Sequence, residues 1–401
     1  MKILFLNCVC GSGSTGRLIS ALYDYSIDQG NEPFILYGIG KKEEDSHKIK
    51  VVPSIVRKIQ SLRARITGYP YGGNLWGTIV TLKHLNNIQP DIVHVHCING
   101  YTMNIYRVLN YLKTNRIPTV ITNHAEFMFT GGCTHAVECD KWLSGCYSCE
   151  HIGETHPISY FFDNTKKEWE KMRRAYSGFE KLQICCVSEW ASSRARKSPM
   201  ISDFPICTVL NGVNTKDFCY IENMDIRGEY GFNEKKVVLH VTPNFHDPLK
   251  GGKHVLEMAK RFPEVSFLIV GADSPNDLLP NCKFVGRITD SKKLAELYSM
   301  ADVCLLTSVR ETFSMVCAES LCCGTPVVGF NAGGPESIAL KEYSRFVEQG
   351  NDDELEKVLK MSLNSCVDKK EVSREAIEKY GQLVMCKKYQ ELYENFFSSQ
   401  I

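Results

Sequence analysis

Apolar residues along the chain fall into short runs rich in β-branched side chains, separated by longer stretches where they recur at helical spacing. The first half carries "KILFLNC", "PFILYG", "DIVHVHC", "TVIT", "LQICCV" and "ICTVL". Such runs predict strands, and because successive residues are apolar on both faces they predict a sheet covered on both sides. Around residue 215 the polar stretch "NTKDFCYIENMDIRGEYGFNEKK" interrupts the pattern, which restarts with "VVLHVT", "VSFLIVG", "CKFVG", "DVCLLTS" and "TPVVGF". The repeated strand–helix grammar predicts two doubly wound α/β units, over 1–215 and 216–380, with a terminal helix over 381–401 packing back on the first. Ligands of such sheets sit beyond the carboxyl ends of the strands, here expected to face an interdomain cleft.

Composition narrows the partners. The 401 residues exceed one hydrophobic core, and 47 Lys and Arg against 46 Asp and Glu leave a net charge of +1. Without a global basic field a nucleic-acid partner is not expected, and any anion must be met locally. No apolar run reaches the roughly 20 residues of a spanning helix. No small-residue cleavage site follows the first strand. The expected location is cytoplasmic, with at most peripheral contact at the inner face of the membrane. Most of the 18 cysteines stand singly or as adjacent pairs inside apolar segments, as buried reduced thiols do.

Gly11, Gly13 and Gly16 follow the first strand with G-x-G-x-x-G spacing. A dinucleotide site also needs an acid at the end of the second strand, but "PFILYGIGKK" ends in Gly and Lys, and no Gly-Lys-Ser/Thr makes a Walker loop. Two readings remain for Gly13, Ser14 and Gly16. They form a tight turn that lets strand and helix pack, or they aim backbone amides at an anion or substrate. In "SVRETFSMVCAESLCCGTPVVGFNAGGPESI", Glu311 precedes a helix and Glu319 lies on it. The free amides of Phe313, Ser314 and Met315 suit a phosphate, and the two carboxylates suit sugar hydroxyls. A capped surface helix with solvated glutamates would explain two acids alone.

The ordered set "VLNGVNTKDF", "LKGGKHVLEMA", "FLIVGAD", "FVGRITD" and E-x7-E with "GGPE" after it, preceded by the glycine loop, resembles the retaining glycosyltransferases of family 4 over nearly the whole chain. The resemblance implies the GT-B fold, two facing Rossmann-like domains. It places Glu311 on the donor sugar, Glu319 on the nucleotide ribose, Lys250 on the donor diphosphate, and the backbone of Gly286, Arg287 and Ile288 at the base. An Arg usual a few residues before that Lys is absent from "TPNFHDPLK", leaving Asn244 or His246 to stand in. In "VITNHAEFMFTGGC", His124 matches a histidine beside the donor sugar; the Asp that commonly follows it directly is replaced by Ala125, with Glu126 next. His96, ending "DIVHVHC", reads as an acceptor-side contact or as a satisfied strand histidine.

The activity so implied is retaining transfer of a hexose-type sugar from a UDP- or GDP-sugar to a glycan or lipid-linked acceptor, in synthesis of capsule, exopolysaccharide or lipopolysaccharide, with no catalytic metal. A sugar-nucleotide epimerase on the same architecture is the alternative; the missing acid argues against an NAD-dependent oxidoreductase.

Two features lie outside that scheme. Cys133, Cys139, Cys146 and Cys149, the last two as C-x-x-C, have spacing suited to a structural zinc ion, with His135 and His151 as alternative ligands. Free thiols or disulfides are the other readings. In "SIVRKIQSLRARITGYPYGG", Ile55, Ile59, Leu62 and Ile66 share one helical face, with Arg57, Lys58, Arg63 and Arg65 elsewhere. The stripe packs on the domain core, or it lies on an anionic membrane surface. "KKEWEKMRRAY" reads as a solvated helix face.

Overall fold

In a computed structural model of the chain, residues 1–153, 157, 159–222, 225–232, 235–271 and 279–398 are described. Contacts divide the chain into a first unit, Met1–Val209 with Cys386–Ile401, and a second, Leu210–Met385. The first unit runs β1 (Lys2–Leu6), α1 (Gly13–Asp28), β2 (Glu32–Tyr37), β3 (Lys48–Lys50), α2 (Ser54–Thr67), α3 (Leu75–Ile88), β4 (Ile92–Val95), α4 (Ile105–Thr114), β5 (Thr119–Asn123), α5 (Thr165–Tyr176), β6 (Leu182–Cys186), α6 (Glu189–Lys197) and β7 (Ile206–Thr208). The second runs α7 (Asp225–Glu229), β8 (Val237–Val241), α8 (Gly252–Arg261), β9 (Ser266–Val270), β10 (Cys282–Phe284), α9 (Ser291–Met300), β11 (Val303–Leu306), α10 (Met315–Cys322), β12 (Val327–Phe330), α11 (Gly334–Ile338), β13 (Ser344–Val347), α12 (Asp352–Asn364), α13 (Lys369–Tyr380) and the start of α14 (Gln382–Ser398).

Both sheets are parallel, in the orders β3-β2-β1-β4-β5-β6-β7 and β10-β9-β8-β11-β12-β13. Strand order therefore reverses between β1 and β4 in one sheet and between β8 and β11 in the other, and at such a point the loops leaving two adjacent strands diverge and open a pocket. The central strands are buried along their length, as their unbroken apolar runs require. Gly16 lets α1 lie against the loop that leaves β1: a Cβ there would stand 3.2 Å from Val9 Cγ2 and 3.3 Å from the Gly11 amide nitrogen.

From Cys386 onward α14 belongs to the first unit, where Tyr389 and Tyr393 are buried. Tyr393 Oη lies 2.6 Å from His94 Nδ1, and Tyr389 Oη 2.9 Å from Thr122 Oγ1. These two polar tips anchor an otherwise apolar face, and truncating Tyr393 to Ala is worth about 3–5 kcal/mol of stability.

Two expectations are corrected here. The "KKEWEKMRRAY" helix, α5, is not simply solvated: Trp169, Met172, Ala175 and Tyr176 enter the core, and Glu168 is buried with Tyr106 Oη as its donor. The α2 stripe does not pack on the core either; Ile55, Ile59, Leu62 and Ile66 face solvent, and the buried residues of that helix are Gln60 and Ala64.

Candidate functional site

At the reversal point of the second sheet, two loops carry the charged groups. After β8, Asp247 caps a short 3-10 turn by accepting from the Leu249 amide at 2.9 Å, and Lys250 ends that turn. Gly251 follows at φ +69°, where a Cβ would stand 2.0 Å from the Thr307 carbonyl oxygen. Only glycine satisfies both the left-handed backbone and that approach, which explains the Lys-Gly pair. Thr307 Oγ1 donates to the Lys250 carbonyl at 3.0 Å and the Val309 amide to the Leu249 carbonyl at 2.9 Å, so the β8 and β11 loops are tied together.

That tie brings Lys250 Nζ to 2.6 Å from Glu311 Oε1, with a quarter of each side chain still open to water. Glu311 is fixed from behind by the "AGGPE" segment. Its amide donates to the Ala332 carbonyl at 3.0 Å, and its carbonyl accepts from the Gly334 amide at 2.8 Å. Gly334 has no room for a Cβ, which would lie 2.4 Å from the Thr312 carbonyl carbon. Glu336 in turn accepts from the amides of Ala332 at 3.0 Å and Gly333 at 2.6 Å.

Beyond Glu311, Phe313 is buried, and Ser314 caps α10 at φ +76°, its Oγ accepting from the Cys317 amide at 3.3 Å. A non-glycine residue with positive φ is strained, and the surrounding structure must hold it there. Met315 opens the helix, so its amide end carries the positive pole of the α10 dipole. Glu319 is 7% exposed and accepts from Tyr298 Oη at 3.3 Å.

The remaining donor-side candidates lie on loops of the same unit. Gly286 has φ +64°, and its carbonyl accepts from the Gly271 amide at 2.6 Å; Arg287 beside it is exposed and Ile288 half-buried. Ala272 and Asp273 of "FLIVGAD" lie outside the described residues. Asn244 and His246 are exposed, and the Asn244 side-chain oxygen is used to accept from the His246 amide at 3.2 Å. Neither supplies the fixed bidentate cation of an Arg.

In the first unit, Gly11 and Gly13 both have φ near +65°, and Gly13 and Ser14 are exposed at the start of α1. Ser12, the N-cap, makes no side-chain cap bond, so the first amides of α1 are not capped by it. His96 follows β4 and is 1% exposed; its Nδ1 lies 2.9 Å from His124 Nε2, at the end of β5. His124 is the member that reaches the surface, and the His94 ring lies tilted against His96 with centroids 3.9 Å apart. Desolvation by burial pushes all three imidazoles toward the neutral form, His124 down to about 4.

Glu126 points away from this group. It pairs with Arg194 in the interior and accepts from the Ala136 amide at 2.7 Å, clamping the cysteine loop. Trp142 of that loop is buried under Arg194, and its indole donates to the Cys139 carbonyl at 2.8 Å. Cys133, Cys139, Cys146 and Cys149 line one cavity of about 280 Å³, with His151. The Cys133 thiol is hydrogen-bonded to Cys149, which favours the thiolate on Cys149, the more exposed of the two. Among the described residues, no three His, Cys, Asp or Glu side chains are grouped so as to hold a metal ion.

Sequence reasoning missed the ion pair between Lys250 and Glu311, the Tyr298 bond to Glu319 and the hydrogen bond that places His96 behind His124. Each joins residues far apart in sequence, and only strand order brings them together.

Two parallel Rossmann-like sheets with these reversal points define the GT-B fold. Solved structures share it across almost the full chain: sucrose-phosphate synthase from Thermosynechococcus elongatus, with TM-score 0.70 and 15% identity over 99% of both chains, and Anabaena Alr3699/HepE in complex with UDP, with TM-score 0.67 and 14% identity over 98% of this chain and 100% of that one. Residues 223–383 match the family model for glycosyl transferases group 1. The putative colanic acid biosynthesis glycosyl transferase WcaC of Escherichia coli K12 is 22% identical over 98% of this chain and its own whole length. The protein is an enzyme, a glycosyltransferase of the EC 2.4 class.

Proposed function

We propose that the enzyme moves a hexose-type sugar, with retention of anomeric configuration, from a UDP- or GDP-sugar to a glycan or lipid-linked acceptor in cell-envelope polysaccharide synthesis. The observation that carries this is the Lys250–Glu311 pair held at the reversal point of the second sheet, next to the amide end of α10. An ammonium and a helix N-terminus provide fixed positive potential for the charge that grows on a departing diphosphate. The carboxylate beside them holds a sugar hydroxyl, and donor binding exchanges the Lys–Glu contact for Lys–phosphate and Glu–hydroxyl contacts. Glu319 takes the ribose, and the Gly286–Ile288 backbone takes the base. A UDP-bound neighbour and a full-length relative named for colanic acid biosynthesis support the donor and pathway assignments.

His124 offers the sugar a neutral imidazole, the form suited to hydrogen bonding with hydroxyls and not with phosphate. The first amides of α1 are assigned to the acceptor or to phosphate oxygen. The cysteine loop is assigned a structural zinc ion because its four thiols share one cavity, although binding would have to draw them closer. With four sulfur ligands such an ion has no open position for water. Elemental analysis of reduced protein is expected to find about one zinc per chain; finding none removes it.

The functional assignment is tested by a thermal-shift panel of nucleotide sugars, followed by mass spectrometry of products formed with envelope glycans. Stabilisation by one UDP- or GDP-sugar and a product heavier by one hexose are expected. No shift with any donor rejects the proposal, and conversion of the donor without acceptor would make the enzyme an epimerase.

A further inference from the structure

An amphipathic helix packed in the ordinary way buries its apolar stripe. In α2 the arrangement is inverted. Ile55, Ile59, Leu62 and Ile66 are 65%, 62%, 56% and 42% exposed, while Gln60 and Ala64 face inward. Four large apolar side chains left in water along four turns of helix form an extended patch, of a kind that marks an interaction surface.

The patch continues at both ends of the helix. Trp76 and Ile79 of α3 are 58% and 65% exposed, and Trp76 lines a hollow with Pro53, just before α2, and with charges of both signs, Lys42, Lys48 and Lys50 beside Glu43, Glu44 and Asp45. At the far end the Tyr160 amide donates to the Arg65 carbonyl at 2.7 Å, and the next residue, Phe161, is 72% exposed.

Charge distinguishes among occupants. α2 carries Arg57, Lys58, Arg63 and Arg65 and no acid, although the chain as a whole is nearly neutral. Lys58 and Arg63 are exposed beside the apolar stripe. An apolar band edged by cations, with a tryptophan at its margin, matches a bilayer surface in cross-section: acyl chains for the Ile and Leu side chains, the headgroup zone for the indole, and lipid phosphates for Lys and Arg. Among the described residues no helix is long and apolar enough to cross a membrane, so such contact is in the plane of the surface.

We propose that α2, with Trp76 and Ile79 of α3 and Phe161, is a docking face for a bilayer containing anionic lipid. This surface stands on exposure and charge alone and does not depend on the donor or acceptor assigned above.

Flotation of the full chain with vesicles of phosphatidylglycerol and phosphatidylcholine, against phosphatidylcholine alone, tests it. Partition onto the anionic vesicles is expected to exceed that onto neutral ones by about tenfold or more, and to weaken as salt shortens the Debye length from about 10 Å toward 3 Å. I59S/L62S and K58E/R63E are each expected to lower it by about tenfold with an unchanged melting temperature, since all four side chains point into solvent. Equal partition onto both vesicles, none onto either, or variants that bind like the wild type would overturn the proposal. So would a chain that self-associates in sedimentation velocity until Ile59 and Leu62 are replaced, which would give the face to a second copy.

Discussion

The two sheets share the order of their first six strands but treat charge in opposite ways at their strand ends. Where the second reverses its strand order, Lys250 and Glu311 meet in a contact that water reaches. Where the first sheet presents its β4 and β5 ends, three imidazoles lie ring against ring, His96 hydrogen-bonded to His124, and desolvation holds them neutral. Glu168, deeper in the same unit, follows the same rule: burial raises it to about 8, so it carries its proton at neutral pH. A charged leaving group calls for fixed charge, whereas hydroxyl-bearing molecules call for uncharged donors and acceptors. One fold supplies both environments by varying what its strand-end loops carry.

The largest effect is expected where the charges are. Lys250→Ala and Glu311→Ala should each lower turnover by about 10²–10³-fold. The fold should survive, because a partly hydrated pair contributes little to stability. Near-wild-type rates in either variant would erase the contrast between the units. His124→Ala should cost about tenfold, the worth of one hydrogen bond. Since His124 stays neutral down to about 4, wild-type rates should show no step near the ordinary histidine value; a step there that disappears in His124→Gln would contradict the neutral trio.

Two opposed pH effects on stability follow from the first unit. The histidines are depressed, so the unfolded chain binds their protons first, and they should cost stability as pH falls through the window from about 6.5 to 4. Glu168 is raised from 4.5 to about 8, so the folded chain retains its proton longer, and stability should fall as pH rises across that interval. Above the histidine range Glu168 acts without their opposing slope. The melting temperature should therefore decline from about pH 6.5 to 8, and Glu168→Gln should flatten that decline; a variant that keeps the slope would assign it elsewhere.

The fold was legible because strands buried on both faces must be written as unbroken apolar runs. The strands that left no such trace are at or near sheet edges: β3, "KIK", pairs only with β2, and β13, "SRFV", is partly exposed. Glu311 and Glu319 stood out at one helix start, but their weight, and the choice of Lys250, came from the resemblance carried by the ordered motifs. Their pairing was not legible, since it depends on β8 and β11 lying side by side. Periodicity likewise placed Ile55, Ile59, Leu62 and Ile66 on one face without saying which way the helix would turn it. That choice is made by the neighbours: Gly73 has no side chain and admits Gln60, whose Nε2 would lie 1.5 Å from a Cβ there. The apolar side is thereby left outward.

Isothermal titration calorimetry of the wild type and Lys250→Ala with the donor found in the thermal-shift panel, and with its nucleoside diphosphate alone, bears most directly on the central assignment. Both ligands should bind the wild type, and the lysine variant should lose about tenfold or more for each, the worth of a charge-assisted hydrogen bond to phosphate. Equal affinity in the two proteins would place the diphosphate away from Lys250 and contradict the site.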